Sequence, residues 1–237
     1  MPHLLMFWLL VTLLFSQSFA QTRFGERLCH HPDYFCLKIK YGENWDTLFP
    51  TLEAQDVVKR INRLNVALKP GFIIAIPKNL DKLTIYDVAP FPRYINSQGE
   101  KTIYISQKNL AWAAYDAQGE LIWWGPISPG MSHCGARGEC HTPSGAFRII
   151  RKQDIDCIST AFPVRADGNN GGAAMPYCMH FFRGFALHGS SSVPGFPASH
   201  GCVRMFIEDA QWLNEEFIEL PGNGFKGTRV IIDALET

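Results

Sequence analysis

The sequence predicts a mostly β domain with one helix over residues 101–235, preceded by a small α+β module of order β-α-α-β over residues 35–77. Three observations predict this. From residue 101 onward the chain is a succession of short runs rich in β-branched and aromatic residues, separated by turn residues. In that half only residues 207–219, IEDAQWLNEEFIE, place apolar residues at helical spacing, and Glu208 and Asp209 fall in the first turn, where the helix dipole favours acids. Upstream, two apolar strand-like runs bracket a segment in which Val57, Val58, Ile61 and Leu64 recur near a period of 3.6.

Residues 4–15, LLMFWLLVTLLF, are too short to span a bilayer and match the apolar core of an export signal. Ser18 and Ala20 supply small residues at −3 and −1, so residues 1–20 are expected to be a signal peptide removed before Gln21; an uncleaved anchor is the competing reading. Residues 21–34, with CHHPD, read as an irregular lead-in. In 35–77, FCLKIKYGENW alternates like a strand and ends in a turn, Pro50 separates two short helices, and LKPGFIIAIP is a turn running into a second strand. Residues 78–100, with Pro90 and Pro92 and a polar end, read as a linker containing one extended segment. The strands expected after it are KTIYISQ, NLAWAAYD, ELIWWGPIS, AFRIIRKQ, CMHFFRGFALHG and TRVIIDAL, with a hairpin turn at DAQGE.

Composition excludes some classes. Lys+Arg and Asp+Glu are 22 each, so the chain is formally neutral, which speaks against nucleic acid or an anionic membrane surface as the main partner. No second apolar run is long enough to span a membrane, so no stable span is expected after signal cleavage. The chain has seven cysteines, and in an exported protein cysteines pair. Local spacing suggests Cys29–Cys36, Cys134–Cys140 and Cys157–Cys178 among fifteen possible connectivities, which leaves Cys202 over. The His133-Cys134…Cys140-His141 cluster superficially resembles a zinc site, but its spacing is not that of the usual fingers, and no metal is expected.

Cys202 lies in PASHGCVRM. A thiol that attacks a carbonyl needs a base or a positive neighbour, and donors aimed at the developing oxyanion. Gly201 allows close backbone approach, and amides near Gly201 and Cys202 are candidate oxyanion donors. Two bases compete: His200, which shares a face with Cys202 if the segment is extended, and His188, at the end of FFRGFALHG. The residues alone leave this choice open. The bland reading of Cys202 is a buried small hydrophobe.

SHGCVRM with an upstream HG resembles the YkuD-type L,D-transpeptidases, and HTPSGAFRI (141–149) and MPYCMHFFRGFALHG (175–189) resemble further segments of that family. The resemblance covers about 101–235 and implies an L,D-transpeptidase-like β-sandwich with one helix. It implies Cys202 as nucleophile and His188 as general base, with Gly189 offering its carbonyl to the imidazole. Ser199, His200 and Gly201 form the motif around the nucleophile, Arg204 anchors the loop or a substrate carboxylate, and Met175, Pro176 and Tyr177 line the cleft. KIKYGENWDTL, INRLN and LKPGFIIAIP resemble a LysM domain, which implies binding to N-acetylglucosamine-containing glycan. Together these imply a periplasmic enzyme whose partners are peptidoglycan stem peptides and glycan. An amine acceptor resolves the acyl-enzyme, from another stem, a lipoprotein lysine or a D-amino acid. No metal or organic cofactor is needed, and carbapenems are expected to acylate Cys202. The alternatives are an L,D-carboxypeptidase, with water as acceptor, and a non-catalytic wall-binding protein. An ordinary thiol protease is disfavoured because no papain-like flank surrounds Cys202. On the tether reading, deleting 35–77 leaves turnover of small soluble substrates intact.

Overall fold

A computed structural model describes residues 21–134, 138–164 and 168–234. The expected leader at residues 1–20 lies outside the described residues. Among the described residues no helix is long and apolar enough to cross a membrane.

The small module has the predicted order. Strand β1 (Tyr34–Lys38) is followed by α2 (Trp45–Leu48), α3 (Leu52–Asn62) and β2 (Ile73–Pro77), and β1 pairs antiparallel with β2. Both helices start on side-chain caps: Asn44 and Thr47 form a reciprocal box, and Thr51 accepts from the Ala54 amide at 3.2 Å. Val57, Val58 and Ile61 of α3 are buried, so the periodicity in the sequence is a buried face. Asn62 fastens α3 to β2, donating to Ala75 O and accepting from Ala75 N at 2.8 and 2.7 Å. Residues 21–34 are more ordered than a lead-in: α1 (Phe24–Arg27) and a 3₁₀ turn at Leu28–His30 pack on the module, and Cys29–Cys36 ties that turn to β1.

The large domain is one nine-stranded sheet. Its strands in chain order are β3 (Thr102–Ser106), β4 (Ala111–Tyr115), β5 (Leu121–Ser128), β6 (Gly145–Arg148), β7 (Arg151–Lys152), β8 (Met179–Phe182), β9 (Phe185–Gly189), β10 (Val203–Met205) and β13 (Arg229–Ile232). A separate two-residue hairpin joins β11 (Pro221–Gly222) to β12 (Phe225–Lys226). The order across the large sheet is β6-β13-β3-β4-β5-β10-β9-β8-β7. The sheet curls until its flanks meet: Phe147 of β6 lies 5.3 Å from both Phe181 and Phe182 of β8. Ile103, Trp112, Ile127, Met179, Leu187 and Val203 fill the interior. The expected mostly-β class with a small α+β module is what forms.

Three local expectations change. AFRIIRKQ is not one strand: it bends after Arg148, and β6 and β7 end at opposite ends of the sheet order. The predicted helix is α4 (Ile207–Trp212) followed by a wider turn at Leu213–Phe217. Residues 78–100 are strapped across the sheet rather than left free. Trp124 Nε1 donates to Ile85 O at 2.7 Å, Tyr115 donates to Pro92 O at 2.9 Å, and Val88, Phe91 and Ile95 cover Tyr115 and Trp124.

The module is seated on the large domain by buried charge. Arg60 of α3 makes a two-pronged ion pair with Asp209 of α4, at 2.8 and 3.1 Å, and donates to Trp124 O at 2.5 Å. Both side chains are buried, and Trp123 Nε1 also donates to Asp209. Arg63, the left-handed residue that caps α3 (φ 55°), is buried too and donates to Asn109 O at 2.9 Å. Burial pulls its guanidinium down to about 9. Trp123 therefore belongs to this seam, its ring tilted against that of Trp212 with centroids 5.7 Å apart.

Candidate active site

The site forms where two parallel strands lie side by side. β9 and β10 pair in parallel with Arg204 opposite His188 and Val203 opposite Leu187, and β10 also pairs antiparallel with β5. Parallel neighbours need a long connection, and here it is residues 190–202. Alternation then puts Ala186 and His188 on one face of β9, and Cys202 and Arg204 on the matching face of β10. All but Ala186 line a single cavity of about 740 Å³, within the range of ligand sites.

Cys202 is the free cysteine among the described residues; the other six form Cys29–Cys36, Cys134–Cys140 and Cys157–Cys178. Bridging of Cys134 and Cys140 takes up the two thiols on which a zinc reading rested. The Cys157–Cys178 bridge, with Met175 and Ala186, forms the apolar bed beneath Cys202. Burial raises the thiol pKa; the Ala186 backbone N–H and the Arg204 charge act against that rise without cancelling it. Cys202 is therefore a neutral thiol in the resting protein.

His188 is buried, and its Nδ1 lies 2.9 Å from Gly189 O. A carbonyl only accepts, so Nδ1 carries the hydrogen and Nε2 holds the free lone pair. Burial pushes the imidazole pKa down to about 4; the Gly189 carbonyl works against this, and the charges of Arg204 and His180 add to it. At neutral pH the pair is neutral thiol and neutral imidazole, with the basic nitrogen on the side away from Gly189.

The turn that presents the thiol is tightly pinned. Gly201 adopts φ +117°, and a Cβ there would sit 2.5 Å from Phe185 Cε1, so glycine is required. The buried Ser199 hydroxyl donates to Cys202 O and accepts from Gly201 N. Thr142, in HTPSG, accepts from Gly130 N at 2.9 Å and donates to Gly201 O at 2.8 Å. Because Gly201 N–H is committed to Ser199, the Cys202 amide is the oxyanion candidate left in this turn. The positive φ also breaks the extended geometry that put His200 on the face of Cys202. His200 is exposed and lines the same cavity, its ring 4.6 Å from that of Phe162. Of the two candidate bases, His188 sits on the strand paired with β10, its Nδ1 held against Gly189 O.

The other expected residues divide. Met175 lines the cavity, whereas Pro176 and Tyr177 do not. Pro176 offers its carbonyl to Gly189 N at 2.8 Å, and Tyr177, left-handed at φ 57°, is buried in the core. Arg204 lines the cavity and reaches Ser192 O at 3.5 Å. Sequence reasoning missed Thr142, Arg151 and His180. Arg151 and His180 are cross-strand partners on β7 and β8, and His180 is paired with Ala186, so both project onto the face of Cys202. The signal was period-two alternation carried across the hairpin from Ala186. His180 is buried with Nδ1 unpartnered among the described residues, and burial, then Arg151, pushes it down to about 4. The described cavity lining contains Arg151 and Arg204 and no Asp or Glu.

Residues 100–232, more than half of the chain, match the family model for the YkuD L,D-transpeptidase catalytic domain. The chain belongs to the YkuD L,D-transpeptidase family. Solved structures of L,D-transpeptidases are similar to the chain, and the first has a likeness of fold. An L,D-transpeptidase (residues 123–326) from Xylanimonas cellulosilytica is 22% identical with a TM-score of 0.52, over 75% of this chain and 78% of that one. An L,D-transpeptidase from Stackebrandtia nassauensis is 19% identical with a TM-score of 0.44, over 62% and 61%. L,D-transpeptidase 3 from Mycobacterium tuberculosis, in complex with a faropenem-derived adduct, is 18% identical with a TM-score of 0.44, over 56% and 60%. No curated protein matches the chain.

Proposed function

We propose that this YkuD-family chain is a peptidoglycan L,D-transpeptidase that acts through Cys202 and His188. The observation that carries the reading is an unpaired thiol in the wall of a cavity it shares with a buried imidazole whose Nδ1 is tied to Gly189 O. As Sγ bonds to the carbonyl carbon of the third stem residue, its proton passes to His188 Nε2. The Cys202 amide faces the oxyanion. Collapse breaks the bond to D-alanine, whose amine takes the proton from His188, leaving a thioester. An acceptor amine then attacks, His188 takes its proton, and collapse returns that proton to Sγ. The acceptor is another stem, a lipoprotein lysine or a D-amino acid; water gives an L,D-carboxypeptidase. A lining with two arginines and no acid among the described residues suits a donor rich in carboxylates. The LysM-like segment 35–77 would bind glycan, and residues 1–20 would direct export to the periplasm, where three disulfides are at home.

Intact-mass spectrometry without reductant, before and after a carbapenem, tests the site. The expected result is one adduct on the wild type, none on Cys202→Ala, and slowing by roughly 10²–10⁴-fold in His188→Gln. Turnover of a soluble tetrapeptide muropeptide, with release of D-alanine, tests the reaction. A protein that binds the sacculus but neither forms the adduct nor turns over the stem is the wall-binding alternative.

A further inference from the structure

Residues 190–201 connect the imidazole strand to the nucleophile, and Ser190, Ser192, Ser199 and His200 from this loop line the cavity. The loop's other side faces the small module. One residue, Asn65, just beyond the end of α3, makes three hydrogen bonds to it. Its Nδ2 donates to Ser190 O at 2.8 Å, its Oδ1 accepts from Val193 N at 2.8 Å, and its own amide donates to Val193 O at 3.1 Å. On either side, Leu64 bridges Pro194 and Phe24 N donates to Gly195 O at 2.8 Å. Asn65 thus acts like the end of an extra strand, with a side chain that donates and accepts at once, which neither Asp nor Ala does.

The path from Asn65 to the chemistry is short. Ser190 follows Gly189 directly, and Gly189 O is the acceptor for His188 Nδ1. On its other side Ser190 N donates to Met205 O at 2.9 Å, on the strand that follows Cys202. Ser190 is therefore held on both sides: its N–H, in the peptide that carries Gly189 O, by β10, and its C=O, in the next peptide, by the module. Releasing Ser190 O frees the peptide after Ser190 and leaves the residue held through its N–H alone, so Gly189 O, one peptide upstream, shifts from the imidazole whose tautomer and aim it fixes.

We infer that Asn65 is a positioning residue for the His188–Cys202 pair, acting through Ser190 and Gly189. The small module is then part of the active unit and not only a tether. This rests on Cys202 and His188 being the reacting groups. It contradicts the expectation that losing the module leaves turnover of small substrates intact.

The experiment compares full-length wild type, Asn65→Ala and Asn65→Asp. Asn65→Asp keeps the acceptor for Val193 N and sets an acceptor against Ser190 O in place of the donor, so it covers the case in which Asn65→Ala fails to fold. Two rates are read against pH: carbapenem acylation of Cys202, and alkylation of Cys202 by iodoacetamide. The expected result is acylation slower by roughly 10- to 100-fold near neutral pH, in kcat rather than KM for a soluble stem, with alkylation at strongly alkaline pH unchanged because hydroxide then makes the thiolate. Wild-type acylation rates in both variants overturn the proposal. So does an equal slowing of both reactions at every pH, which marks a general structural loss. If even the wild type forms no acyl adduct, the reaction reading has failed and this one has not. The pH dependence of alkylation, which needs only the imidazole beside the thiol, then decides: a profile altered in the variants supports positioning of His188 by Asn65, and an identical profile overturns it.

Discussion

Replacing Arg60 by Met should destabilise the whole chain, because Arg60 is the charge on which the module is seated. Its side chain is 4% exposed and that of Asp209 1%, so this is a buried pair. Arg60 makes two bonds to Asp209, one to Trp124 O and one to Asp56. Burial works against its charge, yet the Asp209 and Asp56 carboxylates outweigh it and raise the pKa further. Removing the guanidinium leaves the Asp209 carboxyl buried with, among the described residues, only Trp123 Nε1 as a side-chain donor. Breaking one side of a buried pair costs about 3–5 kcal/mol, against a total stability of about 5–15 kcal/mol. Asp209→Asn should cost less, since the amide stays neutral and keeps an acceptor. The double variant should lose less than the sum of the singles by about 1–3 kcal/mol, the coupling expected between contacting residues. Urea unfolding followed by tryptophan fluorescence, with the disulfides intact, reads all four proteins. A loss below about 1 kcal/mol for Arg60→Met, the value of a solvent-exposed pair, would refute the seating by buried charge, as would two separate transitions in the wild type.

Two further outcomes follow from the site itself. Thr142→Val keeps the shape and removes both bonds that link Gly130 N to Gly201 O, so it should cost about 1–3 kcal/mol in urea unfolding and slow acylation of Cys202, whose turn it holds; unchanged values in both assays would mean that Thr142 does not hold that turn. Stability should fall as the solution is acidified from pH 6.5 towards 4: His188 titrates at about 4 when folded against 6.5 ordinarily, so in that window the unfolded chain binds the extra proton. The His188 contribution, present in full above pH 6.5, is about 3 kcal/mol, and His188→Gln should flatten that part of the pH–stability curve.

The sequence made the chemistry legible more readily than the geometry that holds it. Cys202 stood out through odd cysteine parity and its SHGC surroundings, and FFRGFALHG ended on a histidine at the edge of a strand. Both signals are local. Alternation failed where the backbone left the extended region: Gly201, between His200 and Cys202, adopts a φ of +117°, so the two residues are not successive positions of an extended segment. It failed again at Arg148, where AFRIIRKQ turns a corner and sends β6 and β7 to opposite ends of the sheet order. The buried face of α3 was visible as a period, but nothing local marks Arg60, Arg63 and Asn65 as interface residues. On an isolated helix they read as a solvated polar end, and only the tertiary partners Asp209, Asn109 and Ser190 reverse that reading.

The neutral resting state of the pair bears on how such a site survives oxidising surroundings. A thiolate paired with an imidazolium is the more reactive nucleophile, and also the form most readily oxidised or drawn into wrong disulfides. Here burial raises the Cys202 thiol and lowers the His188 imidazole, so the charged form is disfavoured at both partners. On the proposed mechanism the proton moves only when a carbonyl occupies the cavity and the developing negative charge meets the Cys202 amide. Reactivity therefore depends on alignment more than on a standing thiolate. An aligned base needs a rigid frame, and on the proposed mechanism that frame is Gly189 O on the imidazole, Ser199 and Thr142 on the Cys202 turn, and Asn65 on the loop between them.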